Sequence, residues 1–147
     1  MFSSIVVGTD GSTTAEEAVK QAADLAKSVG AQLNLVSAYE PVPAGRLREE
    51  RVAVPDDLEH MVNPREDVES TLKKAAERIG SDGVEVTTFP REGDPADAIL
   101  DVAEEQGADL IIVGNKGMTG AKRFLLGSVP NKVSHHAPCS VMIIRTT

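Results

Sequence analysis

The chain has 147 residues, 41% hydrophobic, 26% charged and 3% aromatic, with no Trp, and reads as one globular domain, residues 1–147, with an aliphatic core. A formal net charge of -8 argues against general nucleic-acid binding, which needs clustered cations to displace counterions. No apolar run has the length of a membrane span, Met1-Phe2 leads into the first apolar run without a basic region or cleavage site, and the single Cys139 cannot make an internal disulfide, so no membrane contact and a reducing cytoplasm are expected.

Ser4-Ile5-Val6-Val7-Gly8-Thr9 is a branched apolar run ending in turn residues and predicts a buried strand. Thr13-Thr14-Ala15-Glu16 has the form of a capping box. Ala15, Ala18, Val19, Ala22, Leu25, Ala26 and Val29 then recur at helical spacing until Gly30. A second strand is expected over Ala31 to Ala38. Glu40 to Asn63 carries Pro41, Pro43 and Pro55 with no sustained period and reads as a long loop of functional interest, with room for a short helical turn near Asp56 to Met61.

Asn63-Pro64-Arg65-Glu66 places a cap, a first-turn proline and a carboxylate at the start of a second helix, with Val68, Leu72, Ala75 and Ile79 inward. Val84 to Phe89 predicts a third strand. Asp94-Pro95-Ala96-Asp97 starts another helix, which Gly107 ends, and Asp109 to Val113 predicts a fourth strand. Ser128 is read as the cap of a last helix through His136, and Ser140 to Ile144 as a fifth, buried strand that Cys139 leads into as a packing residue. The alternation β-α-β-α-β-α-β-α-β calls for an α/β fold with a mostly parallel sheet and helices on both faces. In such doubly wound sheets ligands sit beyond the carboxyl ends of the strands, where strand order reverses. If the first and fourth strands are neighbours there, Thr9-Asp10 and the Gly114 loop face one crevice.

The segment Leu110-Ile111-Ile112-Val113-Gly114-Asn115-Lys116-Gly117 runs from a strand into a glycine turn, and nine intervening residues lead to Gly127 and Ser128. This G-x2-G-x9-G-S spacing joins a strand, a bare backbone loop and a helix start. Glycines let main-chain N–H groups approach an anion, and a helix N-terminus adds donors and the positive end of the peptide dipole. Turn-making alone accounts for any one of these glycines; the three together favour phosphate. The Ser128 hydroxyl has two readings, a cap and a phosphate contact. Pro130 removes one possible donor, which leaves the Ser128 and Val129 amides as the expected contacts. Asp10 fits an Asx-turn at the strand-to-helix corner and equally a contact to ribose or to a metal on the phosphates. Lys116, Lys122 and Arg123 lie inside the glycine loop, and Lys116 is favoured as a phosphate neighbour.

Other motifs fall away. His135-His136-Ala137-Pro138-Cys139 lacks a second ligand pair with zinc spacing and fits solvated helix-end histidines. Neither G-x-x-x-x-G-K-[ST] nor G-x-G-x-x-G occurs. Thr9-Asp10-Gly11-Ser12-Thr13-Thr14 faintly suggests a flavodoxin phosphate loop, but Tyr39 is the single Tyr and no Trp is present to stack on a flavin. A receiver domain is also a poor match, because the third strand ends in Phe89-Pro90 without a phospho-acceptor Asp.

With these residues in hand, the chain resembles the universal stress protein family in its small single-domain form. The resemblance runs from Ile5-Val6-Val7-Gly8-Thr9-Asp10-Gly11-Ser12 through Gly107 to Gly114 and Leu125-Leu126-Gly127-Ser128-Val129 to Val141-Met142-Ile143-Ile144. The G-x2-G-x9-G-[ST] element marks the family's ATP-binding branch. The resemblance implies a three-layer α/β/α sandwich of the adenine nucleotide alpha hydrolase-like kind, doubly wound around a five-stranded parallel sheet in the order 3-2-1-4-5. It implies homodimers that pair through their last strands. It further implies that Gly8, Thr9 and Asp10 line adenine and ribose, and that Ala38 offers main-chain contacts to adenine. By the same resemblance Val113, Gly114, Lys116 and Gly117 wrap ribose and phosphates, while Gly127, Ser128 and Val129 hold the phosphates. The implied ligand is ATP, AMP or cyclic AMP, with Mg²⁺ accompanying ATP.

Three functions follow as expectations: an adenine-nucleotide-binding stress-response regulator, a slow Mg²⁺-dependent ATPase using Asp10 and Lys116, and a ligand-free dimeric interaction module. No base or water-positioning residue stands out for the second.

Overall fold

The computed structural model describes residues 1–40, 64–115 and 126–146. Strand β1 is Ser4–Gly8, helix α1 Thr13–Val29, β2 Gln32–Tyr39, α2 Pro64–Gly80, β3 Val86–Glu92, α3 Pro95–Glu105, β4 Leu110–Gly114, α4 Ser128–His136 and β5 Ser140–Ile144. All strand pairs are parallel, and the order is β3-β2-β1-β4-β5, as the resemblance implies. The chain therefore winds outward from β1 to β3, returns, and continues on the other side. The order reverses between β1 and β4, which pair directly as Ile5↔Leu110, Val6↔Ile111 and Val7↔Ile112.

Every residue of the Ile5-Val6-Val7 run is buried, because both sheet faces are covered. Ile5 and Val7 pack with Leu33, Leu35, Leu110 and Ile112 under α1 and α2. Val6 points the other way and joins Val36, Ile111 and Val113 under α3 and α4. Ala18, Ala22 and Ala26 of α1 and Leu72, Ala75 and Ile79 of α2 form the inner stripes that helical spacing predicts. Gly30 ends α1 in the left-handed conformation, φ 73°, where an L side chain would be strained.

Several boundaries differ from the expectation, each for a local reason. Ser12, not Thr13, caps α1: Asp10 Oδ1 accepts the Ser12 N–H at 2.8 Å, and the Ser12 hydroxyl then accepts from Ala15 N at 3.2 Å. Glu16 pairs with Arg78 of α2 at 3.5 Å instead of closing a capping box. Strand β3 starts later than expected and runs through Pro90, which a sheet-edge strand tolerates because one side of its ladder has no partner. Asp109 lies just before β4, where its carboxylate accepts from Ser3 N at 2.9 Å and Ser4 N at 3.1 Å. Gly127, not Ser128, is the cap of α4. Strand β5 is an exposed edge rather than a buried strand, with Met142 and Ile143 exposed by 37% and 41%. Cys139 is half-buried against the α3–α4 layer, and burial pushes its thiol pKa up, with Asp109 adding to the shift. None of the described helices is long and apolar enough to cross a membrane.

Candidate functional site

The reversal point brings the carboxyl ends of β1 and β4 together. Gly8, Val113, Gly114 and Val129 line one crevice there, joined by Thr14, Ala15 and Ala18 of α1 and by Thr146. Thr14, Ala15 and Thr146 were not expected from sequence. The first two follow from α1 crossing over β1 and β4; the third depends on where the tail after β5 lies.

The β1–α1 corner satisfies itself. Thr9 is buried, and its N–H donates to Val36 O at 2.9 Å. Its Oγ1 accepts from Gly11 N at 3.1 Å. Asp10 is exposed and makes the Asx-turn to Ser12 described above. Gly11 sits at φ 80°, where an L side chain is strained, and a Cβ there would crowd Thr71 Cγ2 at 3.0 Å. Ala38 is half-buried near the end of β2, the strand beside β1, and pairs with Arg91 on its far side. Next to it, Arg65 of α2 donates to the Tyr39 hydroxyl at 2.7 Å and pairs with Glu69 at 2.8 Å.

The β4–α4 corner is built differently. Gly127 enters α4 with extended backbone, φ -63° and ψ 165°, and as a glycine brings no side chain of its own to cap the helix. The Gly127 N–H donates to Asn115 O at 2.9 Å, which draws the residues on either side of 116–125 together. Val129 is buried in the α3–α4 core, while Ser128 is exposed. Lys116, Gly117, Lys122 and Arg123 lie outside the described residues, as do residues 41–63. Gly8, Thr9, Asp10, Val113, Gly114, Gly127, Ser128 and Val129 thus gather at one end of the sheet.

The metal-like stretch resolves simply. His135 and His136 are exposed at the end of α4, with ring centroids 6.5 Å apart. Among the described residues no group of three or more His, Cys, Asp or Glu side chains is placed to hold a metal ion.

A family model described as the universal stress protein family matches residues 1–145. The chain belongs to that family. Universal stress protein YxiE of Bacillus subtilis is 36% identical over 151 residues, covering 99% of this chain and all (100%) of the relative. Universal stress protein Rv1636 of Mycobacterium tuberculosis is 37% identical over 148 residues, covering 99% of this chain and 98% of the relative. Among solved structures, a universal stress protein in complex with cAMP superposes with a TM-score of 0.72 at 31% identity, covering 99% and 98% of the two chains. The universal stress protein of Archaeoglobus fulgidus in complex with dAMP gives 0.67 at 27% identity, covering 97% and 98%. This universal stress protein therefore shares its fold with proteins solved with adenine mononucleotides bound.

Proposed function

We propose that this chain binds an adenine nucleotide at the reversal point, with its phosphate at the start of α4. The observation that carries the reading is the glycine cap of α4, beside a crevice lined by Gly8 and Gly114. A helix start of this kind offers N–H groups and a positive dipole end to an anion. The cAMP and dAMP complexes of similar proteins support the same ligand class, with ATP, AMP and cAMP all retained as ligands to test. In this reading Gly8, Thr9 and Asp10 line the adenosine, and the Ala38 main chain meets the base. Val113, Gly114, Lys116 and Gly117 wrap ribose and phosphate, and Gly127, Ser128 and Val129 hold the phosphate. For Mg²⁺ carried on ATP, Asp10 is the acidic side chain that the β1–α1 corner offers, and its Oδ1 is already engaged by Ser12. Binding rather than hydrolysis is the function proposed, as part of a cytoplasmic stress-response regulator.

The same proposal includes a homodimer. Strand β5 leaves one side of its backbone ladder open and exposes Met142 and Ile143, the features of a strand that pairs with a second copy. Titration calorimetry of protein stripped of nucleotide, with ATP, AMP and cAMP, tests the site. Saturable binding of at least one is expected, and no heat at millimolar ligand overturns the reading. Equilibrium sedimentation tests the dimer: wild type sediments as two chains, and Ile143→Lys shifts it toward one.

A further inference from the structure

Asn115 bonds the last residue of β5, Ile144, and Thr146 just after the strand, and so holds this end of the chain against the glycine corner. The Asn115 N–H donates to Ile144 O at 2.8 Å. Its side-chain Oδ1 accepts two bonds from Thr146, from the backbone N–H at 2.8 Å and from the hydroxyl at 3.2 Å. Its carbonyl accepts the Gly127 N–H at 2.9 Å. Thr146 in turn lies over Gly114: a Cβ added to that glycine would stand 3.4 Å from Thr146 Cγ2. Thr146 also lines the crevice with Gly8 and Val129. Asn115 therefore touches the tail, and through its own backbone the glycine before it and the cap of α4.

We infer that Asn115 is a positioning residue that ties the C-terminal tail to both flanks of the glycine loop, so that order in the tail and nucleotide binding are linked equilibria. The inference rests on the nucleotide reading above. If Asn115 sets where Gly127 and Gly114 stand, freeing the tail loosens the start of α4. Binding that fixes the start of α4 must then, by reciprocity, fix the tail. Because Thr146 itself lines the crevice while Asn115 does not, loss of affinity in Asn115→Ala is the readout that separates linkage through Asn115 from direct cover of Thr146 by ligand.

The test reads amide hydrogen exchange at Thr146, with and without AMP, ATP or cAMP, alongside calorimetry with the same nucleotides. In the wild type, the nucleotide that binds slows Thr146 exchange by about fivefold or more, the lower end of ordinary coupling between sites. Asn115→Ala removes the acceptor, and Thr146→Pro removes the backbone donor and the hydroxyl without touching Asn115. Each variant is expected to bind about fivefold or more weakly. The amides of β1 keep wild-type protection in both. Thr146→Pro lies outside the strands and helices and carries the test should Asn115→Ala fold poorly. Wild type that binds while Thr146 exchange stays unmoved overturns the inference alone. So does wild-type affinity in the folded variants. Wild type that binds none of the three nucleotides overturns the inference together with the reading of the site.

Discussion

At the start of α1 the N–H groups of Gly11, Ser12 and Ala15 are taken by side-chain oxygens of Thr9, Asp10 and Ser12. At the start of α4 the cap is Gly127, which has no side chain to accept from the helix. Helix α3 follows the first pattern, since Asp94 caps Asp97 N at 3.0 Å. Two helix starts thus meet the same crevice, one whose corner supplies its own hydroxyl and carboxylate acceptors, one whose cap residue has no side chain to supply any. The negative side chain at the first corner, Asp10, also discourages a phosphate there. The proposed function puts adenosine at the α1 corner and phosphate at the α4 corner.

The largest expected effect comes from making the α4 corner resemble the α1 corner. Gly127 has an extended backbone that any residue adopts, so Gly127→Asp supplies the missing cap. Its carboxylate competes for the donors the phosphate needs, and calorimetry is expected to show a loss of about tenfold to hundredfold, the worth of one charged hydrogen bond. Retained affinity would break the comparison. Next comes Gly114→Val. An added Cβ meets Thr146 at ordinary contact distance, but the branched methyls press on the tail and crevice, with overpacking of about 1–3 kcal/mol. Thermal melts and nucleotide affinity are both expected to fall, whereas Gly114→Ala stays near wild type.

Ser12→Ala sharpens the contrast from the other side. It removes the cap of α1 and costs about 1 kcal/mol of stability by denaturant unfolding, with nucleotide affinity unchanged. A folded Ser12→Ala protein that no longer binds would place the phosphate at the wrong helix. The smallest effect lies at the opposite end of the strands. The amide of Ser3, then that of Ser4, donates to Asp109 and holds its pKa below the usual carboxylate value, while desolvation opposes them. A depressed folded pKa stabilises the protein above about pH 4 and loses that contribution as pH falls through the lowered value. Acid titration of stability is expected to show a shallower fall in Asp109→Asn than in wild type.

Much of this architecture was readable before any fold was known. Branched apolar runs such as Ile5-Val6-Val7 and Leu110-Ile111-Ile112-Val113 are strands buried on both faces, and Asp94-Pro95 marks a helix start. What local sequence hid is tertiary. Val141-Met142-Ile143-Ile144 has the composition of a buried strand, yet its place at the sheet edge exposes it. Pro90 looks like a strand terminator until β3 is known to be an edge. Ser128 resembles a cap, but Gly127 has the extended backbone and its carbonyl accepts the first intrahelical bond from Asn131 N, which puts the cap one residue earlier. Thr146 gave no signal, because its role depends on where β5 delivers the tail. The candidate site was legible as a set of glycines; the difference between its two helix starts was not.

The most direct measurement compares amide NMR shifts on adding AMP with those on adding adenosine, so that the difference reports the phosphate alone. Changes concentrated on Gly127, Ser128 and Val129 are predicted, with little difference at Gly11, Ser12 and Thr13. A difference centred on the start of α1, or absent from the start of α4 while AMP binds, would contradict the account.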